Sequence, residues 1–336
     1  MTNWETSRFA RLPYQRNLEE AARILTRGRL VAFPTETVYG LGARADRPEA
    51  VARIFHAKNR PTFDPLIAHF PSFEAVETWA RFDERAYLLA RTFWPGPLTL
   101  VLPRIHTAKG PRIPDLVTAG LDTVGVRVPA QPMALDLLNA VDFPIAAPSA
   151  NPFGYVSPTT AEHVRQGLGD HVDLILDGGP CTVGVESTIV DLSGPTPRLL
   201  RPGGLPREAI EETLGQNLVW EGFRPPVLTE APGMLVSHYS PSVTVEVFEE
   251  VSSLEARAVE LDGQCAILSA SPLSRVPCRE AVVLGEGAEM AVALFATLRR
   301  LDDPRTGRIL ALLPPPEGLG LAVRDRLYRA AKSRVG

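Results

Sequence analysis

Lysine is nearly missing from this chain of 336 residues: of 35 basic side chains, only Lys58, Lys109 and Lys332 are lysines. Arginine and lysine differ in geometry and in how readily they give up a proton, so each remaining lysine stands out. Cysteine is scarce too. Cys181, Cys265 and Cys278 lie far apart, show no CxxC spacing and leave one unpaired, which argues against a disulfide framework or a zinc site and fits a reducing cytoplasm. No stretch approaches 18 uninterrupted apolar residues, and the N-terminus has no apolar core of signal-peptide length, so neither a membrane span nor export is expected. A net charge of −4 speaks against a protein that coats nucleic acid. The standard nucleotide motifs are also missing: no GxxxxGK[ST] occurs, and neither "GEGAEM" nor "GLGLAV" completes GxGxxG. Without GxSxG, HExxH or a histidine cluster, serine hydrolases and zinc enzymes are demoted.

What is present is an ordinary globular composition, 45% hydrophobic and 22% charged, long enough for two domains. Asn17 and Glu20 form a capping-box pattern ahead of Leu18, Ala21, Ala22 and Leu25, which predicts a helix closed by Gly28. It feeds "LVAF" (30–33), a β-rich run that Pro34 stops. A second helix is expected from about Asp46 to Asn59, with Val51, Ile54, Phe55 and Lys58 on its inward stripe. Strand-like runs follow at 98–102, 123–128, 143–147, 172–177 and 186–192, with helical patterns near 133–140 and 158–167. This alternation predicts an α/β domain with a largely mixed sheet over 1–215. Residues 216–241 read as a proline-rich linker, and 242–336 as a smaller α/β domain with a parallel sheet.

Six loops follow apolar strands or helices and combine Pro, Gly and small hydroxyl residues: 33–40, 58–69, 94–99, 146–160, 183–191 and 199–204. Open α/β sheets bind ligands beyond their strand ends, so these loops could converge on one cavity. Each has an ordinary reading as well. Thr35 and Thr37 could be alternate residues of a strand edge, and Lys58 is favoured near a helix C-terminus whatever its role. Ser149 and Asn151 are turn formers, and Ser157 before Pro158 reads as a helix N-cap. His69 and His238 could be structural. An arginine inside "VGVRVP" or "LLRPG" must pair or bind an anion if it is buried, which singles out Arg127 and above all Arg201. From the residues alone the result is a pocket with Lys58, Arg60, Arg127 and Arg201 for anionic groups, phosphate being the natural guess.

At these same residues the chain resembles the threonylcarbamoyl-AMP synthase family, in its long form with an additional C-terminal domain. "FPTETVYGLGA", "KNRP" with "PLI", "WPGPLT", "TAGLDTVGVRVPA", "PIAAPSAN", "GVESTIVD", "LRPGG" and "PGMLVSHYSP" occur in the family's order and spacing. The resemblance implies a YrdC-like twisted mixed sheet around a concave cavity and a smaller Rossmann-like C-terminal domain. It implies a nucleotidyltransferase: L-threonine and bicarbonate form a carbamate, which attacks the α-phosphorus of ATP, with Mg²⁺ on the triphosphate. The product, threonylcarbamoyl-AMP, would serve threonylcarbamoyladenosine modification of tRNA through a downstream transferase, with weak or no direct nucleic-acid binding. Carried over by residue, Thr35, His69, Arg127, Ala147 and Ser187 face threonine. Lys58, Arg60, Thr123, Ser149, Asn151, Ser157, Arg201 and His238 face ATP, with Lys58 and Arg60 nearest the phosphates and Tyr39 packing on the pocket wall.

Two positions depart from the family pattern: Gln131 stands where histidine is usual, and Asp64 replaces a common asparagine. The linker segment Gly233–Pro241 is expected to act as a lid over the adenylate. Two other readings are a carbamoyl-adenylate-forming carbamoyltransferase, whose further domains and zinc motifs are missing here, and an RNA-binding module for tRNA or ribosome maturation. Steeply salt-dependent RNA binding without ATP turnover would mark the latter.

Overall fold

The computed structural model describes residues 3–107, 110–111, 113–222, 239–273 and 276–331. Its strands begin with Val31–Phe33 (β1), Gly40–Arg44 (β2), Ile67–His69 (β3) and Leu98–Pro103 (β4), followed by a short pair, His106–Thr107 (β5) and Gly110–Pro111 (β6). Thr123–Arg127 (β7), Ile145–Ala146 (β8), Leu174–Ile175 (β9), Thr188–Asp191 (β10) and Arg198–Arg201 (β11) come next. Nine of them form one mixed sheet in the order β11-β10-β4-β7-β3-β8-β2-β1-β9. The apolar run of β4 is buried at every residue except Pro103, as expected for a strand covered on both faces. β3 runs parallel to β7 and antiparallel to β8, which sets His69 beside both Arg127 and Ile145. Strand pairing thus joins residues far apart in the chain.

The first helix spans Asn3–Thr26, so Asn17 lies within it rather than capping it. Tyr14 donates to Asp136 Oδ2 at 2.7 Å, docking the turn before Asn17 on the helix Pro132–Asn139. That tertiary contact continues the helix through the capping pattern. The helix Pro48–Lys58 matches its expectation, buries Val51, Ile54, Phe55 and Lys58, and ends at Asn59 with φ 54°. Ser157 is not an N-cap. The cap lies three residues later, where Thr160 Oγ1 accepts from the His163 amide at 3.2 Å and opens the helix Ala161–Leu168.

Thr244–Phe248 (β12), Ala266–Ser269 (β13), Glu280–Val283 (β14) and Arg308–Leu312 (β15) form the second sheet, ordered β12-β15-β13-β14 and parallel throughout. Parallel neighbours need long crossovers. One crossover is the helix Val251–Glu260, which periodicity did not reveal. Another is the expected helix Gly287–Arg300 between β14 and β15, and the helix Leu319–Ala331 follows the last strand and closes the domain.

The two domains share an apolar cluster. Val38, Val156, Val185 and Tyr239 join the apolar cluster built mainly from the two C-terminal helices just named. Tyr239 stacks on Phe295 at 5.4 Å between ring centres, and burying such a ring contributes about 1.5–3 kcal/mol. Gly184 has φ +80°, and a Cβ there would lie 2.3 Å from Val292 Cα, so only glycine lets this loop touch the helix backbone. The second domain therefore leans on loops of the first.

Candidate active site

Five of the six loops named above open onto one cavity. The first supplies Thr35, Thr37, Val38 and Gly40; the second supplies Arg60, Ile67 and His69. Ala147, Pro148 and Ser149, then Glu186 and Ser187, and finally Arg201 come from three others, while Arg127 stands at the end of β7 and Tyr239 closes the wall. The sixth loop supports from behind: Gly96 offers its carbonyl to Arg127 Nε at 3.3 Å, and Thr99 and Ser187 share a hydroxyl hydrogen bond of 2.8 Å.

The opening loop is a turn rather than a strand edge. Thr35 Oγ1 donates to the Val38 carbonyl at 2.6 Å and accepts from the amides of Thr37 and Val38, each at 3.2 Å. Such local bonds are what make threonine a turn former. Between them, Glu36 points inward and accepts from Arg127 Nη2 at 2.7 Å, while its other oxygen takes the Ala130 amide at 3.1 Å. Arg127 Nη2 also donates to Thr37 Oγ1 at 3.0 Å. Glu36 was not singled out from the sequence as the partner that a buried arginine requires. Tyr39 is fully buried but reaches away from the cavity, donating to the Gly179 carbonyl at 2.7 Å.

His69 is buried beside Arg127, with its ring edge-on to Phe33, and its Nδ1 has no hydrogen-bond partner. Burial, followed by the Arg127 charge, pushes its pKa down to about 3. At neutral pH the imidazole is uncharged and too weak a base to take up a second proton. What it offers is an unpaired ring nitrogen.

Arg201 donates to the Ser187 carbonyl from Nε at 3.2 Å and from Nη2 at 2.8 Å. Gly203 makes this possible: a Cβ there would meet the Glu186 carbonyl oxygen and Ser187 backbone at 2.4 Å. Arg60 donates to the Asp64 and Pro65 carbonyls at 3.2 and 2.9 Å, and its Nη2 also lies 2.9 Å from Asp64 Oδ2. The angle of that last contact makes it an ion pair without a hydrogen bond, and both Asp64 carboxylate oxygens lack a donor. Burial raises the Asp64 pKa, opposed by Arg60, Lys58 and Arg201.

Lys58 lies behind the wall rather than on it. Its ammonium donates to the carbonyls of Ser149 and Asn151 and so fixes the loop that carries Ser149 into the cavity. Burial, then repulsion from Arg60, lowers its pKa well below the ordinary lysine value. Asn151 holds the following turn, donating to the carbonyls of Pro152 at 2.9 Å and Tyr155 at 2.8 Å. Ser157 donates to Glu186 Oε1 at 2.5 Å. Thr123 begins β7 four residues before Arg127 and outside the cavity lining, although alternation puts both on one face with Gly125 between them. Gln131 caps the helix Pro132–Asn139 by accepting the Ala134 amide at 2.8 Å. His238 and Gly233–Ser237 lie outside the described residues.

The comparisons with known proteins agree with this architecture. A family model described as "Telomere recombination" matches residues 23–203, and one described as "Threonylcarbamoyl-AMP synthase, C-terminal domain" matches 205–332. A threonylcarbamoyl-AMP synthase from Pyrococcus abyssi is 43% identical, with 94% of each chain covered. Another from Bacillus subtilis is 39% identical over 95% of this chain and 94% of its own. The crystal structure of P. abyssi Sua5 complexed with L-threonine superposes with a TM-score of 0.85, covering 94% of both chains. With two matching models in tandem and relatives aligned over nearly their whole length, the chain belongs to the threonylcarbamoyl-AMP synthase family.

Proposed function

We propose that the chain is an L-threonylcarbamoyladenylate synthase, forming threonylcarbamoyl-AMP and pyrophosphate from L-threonine, bicarbonate and ATP. One observation carries this reading beyond family membership: Arg60, Arg127 and Arg201 meet in a single cavity beside a neutral histidine with an unpaired ring nitrogen. A cavity lined by guanidinium groups and small hydroxyls suits a substrate with a carboxylate at one end and phosphates at the other.

In this proposal Arg127, steadied by Glu36 and the Gly96 carbonyl, takes the threonine carboxylate. His69 orients the amino group by hydrogen bonding, and Thr35, Ala147 and Ser187 shape the rest of that end. The amine bonds to the carbon of bicarbonate with loss of water, giving a carbamate. A carbamate oxygen then attacks the α-phosphorus of ATP, and the bond to the β-phosphate oxygen breaks to release pyrophosphate. Holding both reactants in one water-poor space replaces an encounter in solution and limits loss of the labile carbamate. Arg60 and Arg201 offset charge on the phosphates, and Lys58 holds the Ser149 loop against them. The open face of β7, flat at Gly125, gives the nucleotide a course toward Thr123.

Mg²⁺ is proposed as the counter-ion of the triphosphate. Among the described residues no group of three or more His, Cys, Asp or Glu could hold a metal ion, so the phosphates would be its ligands. The cationic surface that prompts an RNA-binding reading proves to be three buried arginines with protein acceptors, unlike the exposed basic face that nucleic acid needs. Delivery of the adenylate to a tRNA-modifying transferase in the cytoplasm completes the proposal. Among the described residues no helix is long and apolar enough to cross a membrane.

The test is pyrophosphate release with threonine, bicarbonate and ATP supplied together and omitted singly. Release should require all three and fall by about 100-fold or more in Arg201→Ala, as for loss of a group that stabilises developing charge. Release without threonine would sink the proposal.

A further inference from the structure

Among the described residues, the largest side chain with almost no solvent contact belongs to Arg326, on the last helix of the second domain. Its bonds cross to the first domain. Nε donates to Glu186 Oε2 at 2.8 Å, Nη1 donates to the Pro202 carbonyl at 2.8 Å, and the guanidinium carbon lies 5.2 Å from the centre of the Tyr239 ring. Asp325 steadies it, accepting from Arg326 Nη1 at 2.8 Å and from Arg329 Nε at 2.9 Å. A second arginine, Arg299, donates from the same domain to the carbonyls of Val156 and Ser157. Three of the loops that build the cavity are thus held by the second domain.

Glu186 makes this more than packing, because it is a carboxylate on the wall of a cavity suited to anions. Bare, it would repel phosphate and attract a neighbouring cation. Arg201 stands on the same wall within electrostatic reach of Glu186, Asp325 and Arg326. A buried carboxylate deprived of one guanidinium is driven strongly toward another.

We infer that Arg326 is a positioning residue of the cavity, supplied by the second domain: it engages Glu186 and thereby leaves Arg201 to the nucleotide. This rests on reading the cavity as an ATP site. The C-terminal domain then supplies part of the electrostatic balance of the reaction.

The test is calorimetric ATP binding by the full chain, without threonine, in wild type, Arg326→Gln and Arg326→Gln/Glu186→Gln. If wild type itself does not bind ATP, the reading of the site fails first and takes this inference with it. If wild type binds, Arg326→Gln should weaken ATP about 10- to 100-fold, as expected when one partner of a buried charge pair is removed. Removing the orphaned charge with Glu186→Gln should return affinity to within about threefold of wild type, since both charges are then gone. A purely structural Arg326 would show no such rescue. Unchanged affinity in Arg326→Gln, or a double variant no better than the single, overturns the inference. Should Arg326→Gln fail to fold, the double variant decides: folded with near-wild-type affinity it supports the inference, and unfolded or more than about tenfold weaker it shows that the guanidinium is needed for packing instead.

Discussion

Two buried arginine–glutamate pairs serve the same cavity with opposite polarity. In one, Arg127 stands on the wall and Glu36 lies behind it; in the other, Glu186 stands on the wall and Arg326 lies behind. The first pair is made within one domain, and the second joins two. In both, the hidden partner fixes where the visible charge points and how much of it reaches the cavity. The comparison teaches that net charge on the lining residues misstates what a ligand meets.

Breaking the first pair should have the largest effect. Arg127→Gln leaves Glu36 buried with only the Ala130 amide among its described hydrogen bonds, and losing one member of a buried ion pair costs about 3–5 kcal/mol. Urea unfolding should show that loss, and threonine binding should weaken about 100-fold or more if the arginine carries the carboxylate. A stable variant with unaltered threonine affinity would remove Arg127 from the site and end the symmetry of the two pairs.

Acid should strike the Arg127 side through His69. Its folded pKa of about 3 lies below its ordinary value of 6.5, so between those limits the unfolded chain binds a proton that the native chain does not. Stability contributed by His69 is therefore present above about pH 6.5 and is lost as pH falls toward 3, at no more than about 1.4 kcal/mol per pH unit. His163, held at about 4 by burial, adds a similar slope elsewhere. His69→Gln should flatten stability against pH between 6.5 and 4 without abolishing the slope. Equal slopes in the two proteins would mean that His69 is not held neutral.

Much of this was open to sequence reasoning, and the limits are physical. The inward stripe ending at Lys58, the strand-end loops and the need of a buried Arg127 for a partner all follow from periodicity and desolvation. The partners themselves do not. Glu36 lies 91 residues from Arg127, and Glu186 lies 140 from Arg326, distances over which only the completed sheets bring them together. Arg326 sits in a helix whose pattern gives no sign that its arginine crosses to another domain. Ser157 shows the reverse error: a sound local cap rule lost to a tertiary acceptor, Glu186, while Thr160 capped the helix. Gln131, a departure from the family pattern, proves to hold a helix N-terminus.

A third pair gives the smallest and sharpest contrast. Arg60 and Asp64 also join a wall arginine to a carboxylate, but Asp64 accepts no hydrogen bond, so its charge is poorly compensated where Glu36 and Glu186 are well held. Asp64→Asn removes that charge, leaving the two carbonyls of the 64–65 turn to hold Arg60. The lost attraction and the relieved desolvation should nearly cancel, changing stability by less than about 1 kcal/mol, far below the cost of breaking the Glu36 pair. Freed of a competing anion, Arg60 should hold ATP about two- to fivefold tighter, and threonine affinity should not move. A drop in ATP affinity would show instead that Asp64 orients Arg60 as Glu36 orients Arg127, making all three pairs alike.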